Sequence, residues 1–146
     1  MIRNTLLLAA LASLLAACGA TAPKKSTLPP EEAVALRAKE RWDAIIIKDY
    51  KKAYSYLTAG ARATTPYDNY ATRLAKATLT WESAQVKNVV CEEPEVCVAT
   101  LGIGIKVRSP AASFGAKMLS ASPEVNENWL LGDDGQWYHL PDKTGR

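Results

Sequence analysis

Histidine is almost missing from this chain, with one residue in 146, and cysteine is sparse at three. That leaves too little imidazole and thiolate for a zinc site, and too few thiols for a disulfide scaffold. Strong charge of one sign is missing too. The formal net charge is +3, spread evenly along the chain, which argues against a nucleic-acid-binding surface. The sequence has no Ser-His-Asp order, phosphate-cradling loop, metal-ligand cluster or glycine-rich dinucleotide fingerprint, so it implies no cofactor and no metal. A pair of carboxylates at glycosidase spacing is not identifiable either. What remains is a chain 48% hydrophobic and 23% charged, which is enough for one globular domain and too apolar for disorder.

The N-terminus reads MIRNTLLLAALASLLAAC. Arg3 supplies a positive start, and Leu6 to Ala17 is a run of Leu and Ala broken only by Ser13. A bilayer core of roughly 30 Å needs about 20 residues, so this run fits the apolar region of a secretory signal instead. The segment Leu15-Ala16-Ala17-Cys18 resembles the lipobox of bacterial lipoproteins. The resemblance implies a signal peptide over 1–17, with Cys18 as first mature residue and site of acylation, palmitate included. Buried acyl chains gain about 0.8 kcal/mol per methylene, so attachment to the membrane would be through lipid. Gly19 stands where many inner-membrane lipoproteins carry aspartate. The resemblance therefore implies the outer membrane of a Gram-negative envelope, with the domain in the periplasm.

Residues 18–28 are small, polar and proline-bearing, which suits a tether. Folding is expected from residue 29 to residue 142, with 143–146 as a tail. Pro29-Pro30-Glu31-Glu32 suits a helix first turn, and the helix is predicted to run to Lys48 with Ala35, Ala38, Trp42, Ile45 and Ile46 on one face. Asp49 is a predicted N-cap for a short helix through Leu57. Gly60 is read as a break, and Thr65-Pro66-Tyr67-Asp68 as the capped start of a third helix to Ala75.

The period then becomes two. Thr78 to Cys91 and Val96 to Val107 read as paired strands, with Cys97, Ala99, Leu101, Ile103, Ile105 and Val107 on one face and Gly102 and Gly104 on the other. Ser109 to Pro123 reads as a loop or a weakly patterned strand. Cys91 and Cys97 bracket a hairpin tip. In an oxidising compartment they read as a structural disulfide; a redox or metal pair is the alternative, against which stand the spacing and the lack of a nearby histidine. Glu127 to Leu131 and Gln136 to Leu140 flank Gly132-Asp133-Asp134-Gly135, a hairpin signal. A turn with two or four central residues would put Trp129, Leu131, Gln136, Tyr138 and Leu140 on one face and Leu130, Trp137 and His139 on the other.

Helices followed by an antiparallel sheet is the order of the NTF2-like (SnoaL-like) α+β superfamily. The stretches RWDAIIIKDYKKAYSYLTAGAR (Arg41 to Arg62) and ENWLLGDDGQWYHLPD (Glu127 to Asp142) resemble its helical opening and its closing hairpin. The resemblance implies a curved sheet wrapped around the helices to leave a cone-shaped pocket. In that superfamily dimers through the outer sheet face are common, so a homodimer is an expectation. Expected ligand-binding residues are Trp42, Tyr54, Trp81, Trp137 and His139, as aromatic walls with one polar handle. The reading that follows is a non-catalytic, lipid-anchored module for a small apolar ligand or a protein partner. Its rivals are a small hydrolase, isomerase or dehydratase with His139 or Glu82 as base, and a structural envelope protein.

Overall fold

The computed structural model describes residues 27–108 and 118–142. The leader, Cys18, most of the tether and the tail lie outside the described residues. Four helices precede the sheet: α1 (Pro30–Ile46), α2 (Tyr50–Ser55), α3 (Ala59–Thr64) and α4 (Tyr67–Ala75). The strands are β1 (Leu79–Glu93), β2 (Val96–Arg108), β3 (Met118–Ala121), β4 (Glu124–Leu131) and β5 (Trp137–Leu140). All pairings are antiparallel, in the order β1-β2-β4-β5. The short β3 continues the β4 edge of β2, after the interruption at Ser122-Pro123. This is the expected α+β architecture, helices packed on the inner face of an antiparallel sheet.

Helix α1 begins with a proline and two acidic residues in its first turn, where the free backbone N–H groups favour negative charge. It ends at Ile46 rather than Lys48. The Lys48 amide donates to the Ile45 carbonyl, and the Asp49 amide reaches back to Ala44 at 2.8 Å. These are the two bonds of a Schellman stop, and they force Lys48 to φ 65°. Asp49 then caps α2 as expected, accepting from the Lys52 amide.

Gly60 does not break the chain. It lies in the first turn of α3, where the Thr58 hydroxyl accepts from the Ala61 amide and supplies the cap. Thr65 is the extended C-cap of α3 rather than an N-cap. Helix α4 starts one residue later, behind Pro66 and without a side-chain cap.

The inner face of the sheet is continuous. Cys97, Ala99, Leu101 and Ile103 of β2 are buried beside Trp129 of β4 and Trp137 of β5. Gly102 and Gly104 lie on the outer face, and Gly104 is closely covered: a Cβ there would sit 2.3 Å from the Ser83 hydroxyl. Ser83 follows a register shift in β1, so the glycine accommodates an irregular strand crossing it. Cys91 and Cys97 form a disulfide across the β1–β2 hairpin, with Cα atoms 4.1 Å apart.

The last hairpin departs from its expected faces. Gly132 and Gln136 close a turn of three residues, with Gly135 at φ 74°. A left-handed residue at the end of a type I turn inserts an odd residue, so the alternation shifts by one. Trp129 therefore pairs with His139 and Leu131 with Trp137, all on the inner face. Leu130, Tyr138 and Leu140 share the outer face, where the Tyr138 hydroxyl donates to Asp134 at 2.6 Å. Trp129, Trp137 and His139 thus share one side, and the expected separation of Trp137 and His139 from Trp129 does not hold.

Both left-handed residues are testable. Lys48→Gly is expected to raise stability by about 0.5–1 kcal/mol, and Gly135→Ala to lower it by about 1 kcal/mol, read from urea unfolding midpoints. Opposite signs at two positive-φ positions would separate backbone strain from lost contacts.

Candidate functional site

Between the helices and the wide end of the sheet lies a cavity of about 490 Å³. Its walls come from Trp42 and Ile45 of α1, Leu74 of α4, Trp81 of β1 and Ile103 and Ile105 of β2. These positions follow from the two periodicities. Trp42 and Ile45 share the buried stripe of α1, while Trp81, Ile103 and Ile105 are inward residues of paired strands.

Besides the exposed Arg73 and Glu124, four polar residues interrupt this apolar lining: Arg41, Tyr70, Glu127 and His139. All four are buried. Arg41 donates to Glu127 Oε1 at 2.5 Å, and the Trp42 indole Nε1–H donates to the same oxygen at 2.8 Å. The two ion-pair side chains are only 7% and 4% exposed, so this pair is held in a low-dielectric setting and not at a wet surface. Glu127 Oε2, Arg41 Nε, the Tyr70 hydroxyl and His139 Nε2 have no hydrogen-bond partner among the described residues. Burial raises the Tyr70 pKa, partly offset by the nearby Arg41 guanidinium, which lies outside hydrogen-bonding geometry.

His139 is fixed from several sides. Its backbone amide donates to Tyr56 and its carbonyl accepts from Thr58, which stitches β5 to the segment after α2. Its Nδ1 lies 3.3 Å from the Asn128 carbonyl. A carbonyl only accepts, so Nδ1 carries the proton and Nε2 is left as a bare acceptor. Burial, reinforced by the Arg41 charge, pushes its pKa down to about 2. The imidazole is therefore neutral at physiological pH and a poor proton acceptor.

The five expected wall residues divide. Trp42, Trp81 and His139 line the cavity. Tyr54 does not: its one hydroxyl proton is shared between the Thr65 and Arg62 carbonyls, and its ring packs on Tyr67 and Tyr70, so it fastens α3 and α4. Trp137 is buried farther along the inner face, and its carbonyl accepts from Arg37 of α1. Glu82 is exposed on the outer face and ion-paired with Lys106, away from the cavity. Of the two residues expected as a possible base, His139 reaches the pocket but is held neutral, and Glu82 lies outside it.

Arg41, Glu127 and Tyr70 were not among the expected residues, yet two of them leave a trace in the sequence. Arg41 sits in the apolar stripe Ala38-Arg41-Trp42-Ile45, at helical spacing. Glu127 shares strand parity with Val125, Trp129 and Leu131. A charge in an inward position is the signal in both cases. Tyr70 has no comparable marker.

No protein-family model matches the chain, and no curated protein matches it in sequence. Solved structures do resemble it. A SEC-C motif containing protein from Psychrobacter arcticus aligns over 80% of this chain at 9% identity and TM-score 0.59; the chain spans 62% of that protein's length. A ketosteroid isomerase-like protein from Erwinia carotovora atroseptica aligns over 76% of this chain and 92% of its own, at 14% identity and TM-score 0.53. An NTF2-like family protein from Streptomyces avermitilis aligns over 74% and 89%, at 13% identity and TM-score 0.50. The fold is NTF2-like. At these identities the likeness concerns the fold alone.

Two measurements probe this site. Arg41→Met leaves the Glu127 charge buried and unpaired, and is expected to cost about 3–5 kcal/mol in urea unfolding. Arg41→Met with Glu127→Gln removes both charges, keeps an acceptor for Trp42, and is expected to recover more than half of that loss. The second measurement is pH dependence. His139 stays neutral in the folded state down to about pH 2, while an unfolded histidine protonates below about 6.5. The unfolded chain therefore binds the extra proton, and stability falls as pH drops below 6.5, with a slope approaching about 1.4 kcal/mol per pH unit. His139→Gln is expected to flatten stability between pH 6.5 and 5, a window above most carboxylate titrations.

Proposed function

We propose that this chain is a lipid-anchored, periplasmic NTF2-like module that binds a small, largely apolar molecule in its cone without transforming it. The observation that carries the reading is the cavity of about 490 Å³, walled by tryptophan and aliphatic side chains with a few buried polar groups among them. Pockets of this size and composition suit small molecules. The NTF2-like and ketosteroid isomerase-like neighbours fit a small-ligand module on the same grounds of shape.

The non-catalytic part of the proposal rests on the ionisable groups. Arg41 and Glu127 neutralise each other, Glu127 Oε1 already holds two donors, and His139 is kept uncharged. The arrangement favours holding a ligand over moving a proton. The anchoring part rests on Leu15-Ala16-Ala17-Cys18 alone. None of the helices among the described residues is long and apolar enough to cross a bilayer.

Full-length protein extracted from host membranes in mild detergent is expected to carry one class of small apolar molecule, read by untargeted mass spectrometry. Ala77→Trp, which fills the cavity from its rim, is expected to lose that molecule while keeping the circular dichroism of the parent. A filled variant that still carries it would overturn the binding site. For the anchor, Cys18→Ser in a Gram-negative host is expected to abolish the acyl mass increment on the N-terminal peptide.

A further inference from the structure

We infer that the corner between α1 and α2 is a membrane-contact surface, where Ile47 enters the interface of an anionic bilayer and the lysines around it rest on the phosphates. The inference stands apart from the ligand and from the anchor at Cys18, because it concerns a second face of the domain that meets lipid.

The first observation is an apolar tip held outward. In the run Ile45-Ile46-Ile47-Lys48, Ile45 is buried and Ile46 packs partly against the core. Ile47 is 73% exposed, more than any other large apolar side chain among the described residues. It is the C-cap of α1, and the turn that follows is fixed by the backbone bonds from Lys48 and Asp49. Those bonds require no apolar side chain at this position. A lone exposed isoleucine is ordinary on a protein surface. Its neighbours set this one apart.

The second observation is charge. Lys48, Lys51, Lys52 and Lys76 are all exposed. Lys76 belongs to the same end of the domain, since Ile46, Lys48 and Tyr50 line one groove with Ala75, Ala77 and Thr80. Asp49, the acid within this stretch, accepts from the Lys52 amide as the α2 cap. Asp43, one turn earlier, is held by Lys39 at 2.5 Å. The corner is therefore basic around an apolar tip. An interfacial contact uses that combination: an apolar side chain among the upper acyl carbons, and amines on flexible stems that stay with the headgroups.

Position agrees with this. The groove shares Ile45, Leu74, Ala77, Leu79 and Trp81 with the cavity, so the corner and the cavity lie at one end of the molecule. The tether enters at the other end of α1, a 17-residue helix about 25 Å long. Residues 19–28 reach up to roughly 35 Å when extended. A chain anchored at Cys18 can thus lay its far corner on the same bilayer.

The test mixes purified full-length protein with vesicles of phosphatidylcholine, with or without phosphatidylglycerol. The chain carries a genetically encoded benzoylphenylalanine at position 47 or at position 90, an exposed valine of the outer sheet face. After illumination, lipid adducts read by mass spectrometry are expected mainly at position 47 and mainly in the anionic vesicles. Lys51→Gln with Lys52→Gln is expected to lower that yield about tenfold or more, and added salt to lower it too. Equal adducts at both positions, equal adducts in both kinds of vesicle, or no adduct at position 47 overturns the inference. Cross-links between two copies of the chain in place of lipid do the same. None of these results bears on the ligand reading, which the co-purifying molecule decides.

Discussion

A guanidinium on α1 and a carboxylate on β4 meet in the interior of this domain, 86 residues apart in the chain, and share their oxygen with the indole of Trp42. The rest of the cone is arranged around that contact. Apolar packing alone would let a helix slide or rotate on the sheet at small cost, because dispersion and burial have little direction. Two donors converging on one carboxylate oxygen do have direction. They set which turn of α1 faces which rung of the sheet, and so set the distance between helices and sheet at the wide end. The same desolvation that makes the pair costly to bury makes it costly to separate, which turns it into a positioning device.

Beside this contact the molecule is uneven. The disulfide, Trp129 and Trp137 gather along the end of the inner face nearer the two hairpin turns. At the other end, where β1 begins and β2 finishes, the inward residues Leu79, Trp81, Ile105 and Val107 are only half buried. Covalent closure and large aromatic rings thus stabilise the end nearer the turns, while the Arg41–Glu127 link and the stitching of β5 to the end of α2 tie helices to sheet beside the cavity.

Much of the fold was legible because it follows from local chemistry. The Asp49 cap, the change of period after α4 and the inward row on β2 are each set by residues a few positions apart. The errors arose where one backbone conformation reverses a count. Gly135 in the left-handed region adds an odd residue to the last turn, and that single addition moves Trp137 and His139 to the face of Trp129. Thr58 in turn converts a stretch containing glycine into a short helix by capping it. The site was half legible. Trp42, Trp81 and His139 could be suspected from residue type, but Arg41 and Glu127 matter through each other, and a pairing across 86 residues leaves no local pattern.

Close packing gives the final constraint on any reading of this molecule. Protein interiors fill to the density of organic crystals, and a core void forfeits dispersion contacts in proportion to its volume. Simple substitutions at Ala77 or on the Ile103 and Ile105 row would shrink a space of about 490 Å³, and small α+β domains have ample means to do so. The lining is also not what an idle space would have. Its walls are apolar enough to repel water, yet it includes four buried polar residues, each with an atom unmatched among the described residues. A cavity kept only by neglect would tend toward one extreme, fully apolar and collapsed or polar and hydrated. The empty volume beside these apolar walls forfeits dispersion contacts, and those are what the proposed apolar guest would restore.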